Sequence, residues 1–168
     1  GTDAKGGTGF PNLTDRDSLW GGAPDALAHT IAVGVNSSAS KETRVSQMLA
    51  FGRDGILDND SVLAVTDYVR SLSDPGITKG SVAASVAAGR RVFAANCVAC
   101  HGPDGRGNMA LGVPNLADRT WLYGGDAQSI YTSISEGRQG EMPAWQDRLD
   151  ETDRKILLVY LLDKGGKQ

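Results

Sequence analysis

The sequence predicts an all-α fold class: two versions of one helical domain in tandem, the first lacking its N-terminal helix. Three observations carry that expectation. Pro, Asn, Leu, Asp, Arg, Leu, Gly and Gly of FPNLTDRDSLWGGAPDAL (10–27) recur at a constant offset in VPNLADRTWLYGGDAQSI (113–130). MLAF at Met48 recurs as MPAW at Met142, and LDNDSVLAVTDYV (57–69) as LDETDRKILLVYL (149–161), which sets Tyr68 on Tyr160. The only two cysteines, Cys97 and Cys100, stand directly ahead of His101, with nothing strand-like before them.

Composition fits this reading. A chain of 168 residues has room for one full domain or two small ones. A hydrophobic fraction of 40% with six Pro is that of a globular protein rather than a disordered one. With 22 Gly and 6% aromatics, many turns and modest core volume are expected. A net charge of −3 without a basic stripe argues against nucleic acid as a partner. ILLVYLL (156–162) is the longest unbroken apolar run, far short of the roughly 20 residues a bilayer needs.

Residues 1–74 form the first version. It opens in a glycine-rich stretch without a cap or an apolar run, then gives a P-N-L turn, a middle helix, a Met48 strap and a last helix. Residues 75–80 read as a linker, marked by Pro75, Gly76 and Gly80. Residues 81–168 form the second, complete version. Its first helix starts at a Ser81 cap and runs into the cysteines, with Gly89 and Phe93 sharing one face. Gly89 would let another helix approach closely. The expected partner is the last helix, capped by Asp150 and ended by Gly165, through Ile156, Val159 and Tyr160. In this register Gly1 aligns with Gly102, the residue after His101, so the first version is expected to follow an upstream helix ending in a second such motif.

C-x-x-C-H is the attachment signature of haem c. Two thiols one helical turn apart can each form a thioether to a haem vinyl group, and the adjacent His101 is then held under the iron. A dithiol redox pair would have no need of the histidine. Structural zinc wants four ligands, and beyond these three only His29 remains as a nitrogen ligand.

The far side of the iron decides between an open, reactive centre and a closed, electron-transferring one. Met48, Met109 and Met142 are available. Met109 lies in a glycine-rich loop and has no counterpart in the first version. Met142 precedes Pro143, which biases it toward extended backbone on a stiff strap. Met142 is therefore the expected distal ligand of the haem on Cys97 and Cys100.

NCVACHGPDGRGN, GVPNLADRTWLYGG, EMPAW, GFPNLTDRDSLWGG and RVSQMLAFGRDGIL together resemble the periplasmic part of the dihaem subunit III of cbb3-type cytochrome c oxidases. The resemblance covers nearly the whole chain, and its paired P-N-L segments are far more specific than C-x-x-C-H alone. It implies two cytochrome c domains, tethered by N-terminal membrane helices, on the periplasmic side of a bacterial inner membrane. It implies Cys97 and Cys100 as haem attachments, His101 as proximal ligand, Met142 and Met48 as distal ligands, and the Pro114 carbonyl as acceptor from the His101 ring. A second haem requires an upstream C-x-x-C-H. The implied partners are the catalytic and monohaem subunits and a cytochrome donor, and the implied work is electron relay without catalytic residues of its own. Leu49 departs from the pattern by following Met48 where Pro is favoured. His29 falls on Thr132 in the repeat and is expected to be an ordinary helix residue. A soluble dihaem carrier and a dihaem peroxidase are the rival functions.

Overall fold

The computed structural model describes residues 2–165, and Gly1 lies outside the described residues. Six α-helices follow in order: α1 (Pro24–Val33), α2 (Asn59–Ser73), α3 (Ala83–Asn96), α4 (Val98–His101), α5 (Ala127–Glu136) and α6 (Glu151–Gly165). Short 3-10 turns occupy Pro75–Thr78, Gly80–Val82 and Met109–Leu111, and no strand occurs among the described residues. None of these helices is long and apolar enough to cross a membrane.

Local chemistry sets most helix starts. The Asp58, Asp126 and Asp150 carboxylates accept from the backbone N–H of Ser61, Ser129 and Asp153 at 2.8, 3.0 and 2.9 Å, each satisfying a donor with no partner inside its helix. Ser81 differs from expectation. It lies inside the Gly80–Val82 turn, away from the extended backbone a capping residue adopts, and α3 begins at Ala83 without a side-chain cap.

The described chain divides into two compact units. Unit 1 comprises the residues up to Ser46, Met109–Gly112 and the residues from Gln139 on. Unit 2 comprises Gln47–Asn108 and Val113–Arg138. Residues 1–74 and 81–168 repeat along the sequence, but neither corresponds to a unit in space. Each unit takes the P-N-L turn and middle helix of one repeat together with the methionine strap and last helix of the other.

In unit 2 the core is Val62, Val65 and Val69 of α2, Phe93 of α3, and Ile130 and Ile134 of α5. The partner of α3 is thus α2, a correction to the expectation that α6 would pack there. Gly89 makes the crossing possible: a Cβ there would collide with the Ala64 carbonyl and come within 2.8 Å of the Tyr68 side chain. Tyr68 meets Phe93 with ring centroids 5.2 Å apart and planes at 58°, a favourable tilted pairing. Because Tyr68 and Tyr160 are repeat equivalents, either last helix presents this surface, and sequence alone does not choose between them. The Tyr131 hydroxyl donates to Asn59 Oδ1 at 2.9 Å, tying α5 to the start of α2.

In unit 1, α1 packs with α6. Ile31 and Val33 are buried on α1, while no residue of α6 is buried. The strap is held on α1 by main-chain bonds from Trp145 N–H to the Ile31 and Ala32 carbonyls.

Candidate haem-attachment site

Residues 97–101 sit where α3 turns into α4. The backbone N–H groups of Cys100 and His101 donate to the Cys97 carbonyl at 3.2 and 2.9 Å, forming one helical turn that carries both cysteines and the histidine. Cys97 is half-buried against the core, while Cys100 is exposed. Burial, with a smaller contribution from the neighbouring Cys100, pushes the Cys97 thiol up to about 11, so it stays protonated at neutral pH. A dithiol redox centre requires the opposite, a thiolate favoured by its surroundings. Among the described residues no three His, Cys, Asp or Glu side chains gather as a metal cluster would require.

His101 is oriented through one ring nitrogen. Its Nδ1 lies 3.3 Å from the Pro114 carbonyl, to which it donates in the Nδ1–H tautomer, leaving Nε2 with a lone pair free to bind a metal. The ring lies 6.4 Å from that of Phe93. Burial holds the imidazole below its ordinary value, and the Pro114 carbonyl partly opposes that shift. A neutral ring is the form that ligates.

Pro114 is placed by the loop after His101. Gly107 N–H donates to the His101 carbonyl at 2.9 Å, and Leu116 N–H to the Gly105 carbonyl at 2.7 Å. The first repeat forms the same loop: Leu13 N–H donates to the Ala4 carbonyl at 2.8 Å, and Ala4 holds φ +59° where Gly105 holds +71°. Both P-N-L asparagines close the same local turn, with Oδ1 accepting from the N–H two residues on, Thr14 and Ala117, at 2.9 Å.

Met48 belongs to unit 2, which also carries the turn of residues 97–101, and Met142 belongs to unit 1. Met48 is half-buried in the cluster that includes Cys97, Val98, Phe93, Leu116 and Trp121. Its N–H donates to the Arg138 carbonyl at 2.9 Å, and its own carbonyl accepts from Arg138 N–H at 3.1 Å. Gly137 (φ +73°) makes this pairing possible, since a Cβ there would lie 2.5 Å from the Met48 carbonyl oxygen. Met142 makes the corresponding pair in unit 1, exchanging two main-chain bonds of 2.9 Å with Val35. Each strap is thus held by the middle helix of the opposite repeat. His29 is exposed on α1.

Sequence reasoning missed Arg138, Tyr123 and Ser133. The Arg138 guanidinium stands 4.3 Å over the Tyr123 ring, and its Nε donates to Ser133 Oγ at 3.0 Å. A signal existed in the repeat, since Arg44 lies four residues before Met48 as Arg138 does before Met142. Arg44 in turn stands 4.9 Å over Trp20, the repeat equivalent of Tyr123.

This donor set fits an iron porphyrin: a free imidazole nitrogen, a methionine sulfur, two thiols one turn apart, and a wall of half-buried apolar side chains. Comparison with known proteins agrees. Residues 84–161 match the family described as cytochrome c oxidase, cbb3-type, subunit III. Over 166 residues, 99% of this chain and 56% of the relative, the chain is 48% identical to the cbb3-type cytochrome c oxidase subunit FixP of Bradyrhizobium diazoefficiens. It is 46% identical over 168 residues, 100% of the chain and 55% of the relative, to FixP of Azorhizobium caulinodans. To subunit CcoP of Cereibacter sphaeroides it is 41% identical over 166 residues, again 99% and 56%. The chain thus spans about half the length of the curated relatives it matches.

Proposed function

Since the chain belongs to the cbb3-type cytochrome c oxidase subunit III family, we propose that unit 2 carries one covalent haem c and relays single electrons toward an oxygen-reducing catalytic subunit. The observation that carries this reading is the coincidence, in one unit, of the C-x-x-C-H turn, the His101–Pro114 contact and Met48. Cys97 and Cys100 hold the haem, each thiol adding across one vinyl double bond so that the sulfur and its hydrogen end on the two carbons. His101 Nε2 and the Met48 sulfur would bind the iron. When bound, the group supplies a one-electron iron couple, and no residue of this chain need act as acid or base.

The chain's own contribution is binding, orientation and exclusion of water. The Pro114 carbonyl fixes the imidazole plane, and Phe93 packs beside it. A methionine sulfur and an apolar wall would both favour the reduced iron. Both ligands sit on anchored backbone, so little rearrangement accompanies each electron. Ligation by Met48 would also separate this reading from the peroxidase one, which needs an open iron.

The relay would run from a cytochrome donor through this subunit at the periplasmic face of a bacterial inner membrane, in company with catalytic and monohaem subunits. Met142 occupies the equivalent place in unit 1. A haem there requires an attachment motif outside residues 1–168, because the sequence carries C-x-x-C-H once. The test is an intact mass with a pyridine haemochrome spectrum on wild type and on Cys97→Ser/Cys100→Ser. Wild type should carry one covalent haem per motif present, and the double variant should lose the one assigned here. Haem retained covalently in the double variant would refute the assignment.

A further inference from the structure

We propose that Arg138 supplies the counter-charge for a carboxylate of the haem held on Cys97 and Cys100, and so raises that haem's potential. This inference rests on the haem reading above. Arg138 and Met48 exchange both main-chain hydrogen bonds, at 2.9 and 3.1 Å, and so form a directly opposed antiparallel pair. Side chains of such a pair stand on the same face, with Cβ atoms roughly 5 Å apart. The Arg138 side chain therefore leaves the backbone on the side that carries the methionine sulfur.

Its guanidinium is fixed before any ligand arrives, by the Tyr123 ring at 4.3 Å and by the Nε bond to Ser133 at 3.0 Å. Stacking and one anchored nitrogen hold the fork while leaving its two terminal nitrogens for an acceptor. Among the described residues no carboxylate forms a salt bridge with it. A haem carries two carboxylates, which a half-buried site must compensate, and arginine matches a carboxylate bidentately. Unit 1 repeats the device. Arg44 stands over Trp20 with one terminal nitrogen donating to the Ala26 carbonyl at 3.2 Å and its buried Nε without a hydrogen-bond partner, and among the described residues no carboxylate forms a salt bridge with it. Two arginines four residues ahead of the two methionines, each on an aromatic ring and each without an internal counter-ion, point to a bound anion as the common partner.

A positive charge here, paired with the carboxylate, disfavours the ferric form. The experiment is a spectroelectrochemical titration of the full haem-loaded subunit as wild type, Arg138→Gln, Arg138→Lys and Ser133→Ala, with haem content and spin state recorded for each. Arg138→Gln should lower the reduced-to-oxidised ratio at fixed potential by about tenfold, which is 59 mV for one electron. Low-spin character should persist. Arg138→Lys, which keeps the charge but loses the two-pronged contact, should lower the ratio by about two- to threefold, and Ser133→Ala, which only loosens the arm, by less than about twofold. A potential unchanged in Arg138→Gln overturns the proposal. Equal falls in the Gln and Lys variants with loss of low-spin character do so too, because they indicate loss of the Met48 pairing alone. Should Arg138→Gln not load haem, an unchanged potential in both Ser133→Ala and Arg138→Lys is the contrary result. Absence of haem from wild type would instead defeat the underlying reading.

Discussion

Phe93 shows how much one side chain carries at the residue scale. It is 2% exposed, lies in the unit 2 core, touches Tyr68 on one side and stands beside His101 on the other. Truncation to Ala removes core volume that the neighbouring valines cannot refill, a cost of about 3 kcal/mol. Chemical denaturation should report that loss together with a broadened haem spectrum. Cys97 gives a second prediction. In the haem-free chain at pH 8 its protonated, half-buried thiol should be alkylated well after the exposed Cys100, a difference peptide mass mapping resolves. The cysteine pair and His101 were legible in the sequence because their chemistry is written in adjacent letters. Arg138 was not, since its role comes from a main-chain pairing across 90 positions of chain that no local pattern announces.

Helices α2 and α3 decide the architecture at the element scale. Their crossing leaves no room for a side chain at Gly89, so Gly89→Val should destabilise unit 2 by about 2 kcal/mol and reduce haem loading, measured by thermal unfolding and haemochrome content. The caps give a pH signature. Bonds from Ser61 to Asp58 and from Ser129 to Asp126 hold both carboxyls below their ordinary value. Their folded values are depressed, so the stability they add is fully present above the unfolded value and lost as pH falls through the folded one. Asp58→Ala and Asp126→Ala should therefore lower the thermal midpoint at pH 7, with the gap to wild type closing in acid. Helix α5 and the Asp150 cap of α6 could be read from spacing and cap residues. The choice of α2 over α6 could not. The two helices carry the same tyrosine and similar apolar spacing, so pattern identifies a compatible surface without saying which copy occupies it.

Exchange of straps and last helices between repeats is the main feature at the scale of the whole molecule. The repeat itself was legible, down to the recurring loop of Ala4 and Gly105. Its spatial assignment depends on which equivalent pieces meet, a competition between near-identical contacts. Burial differs sharply between the two last helices: Val62, Val65 and Val69 are at most 4% exposed, whereas Ile156 and Val159 are 61% and 64% exposed. Native-state hydrogen exchange should therefore find the amides of residues 62–69 among the slowest and those of 156–162 markedly faster.

Ligand identity tests the central claim most directly. The chain of residues 1–168 has one attachment motif, so its covalent haem signal belongs to Cys97 and Cys100. Optical and electron paramagnetic resonance spectra of the haem-loaded Met48→Leu and Met142→Leu variants should differ. Met48→Leu should open the iron, turning it high-spin and able to bind carbon monoxide when reduced, while Met142→Leu stays low-spin. Loss of the low-spin signature in Met142→Leu with Met48→Leu unaffected would contradict the crossed arrangement.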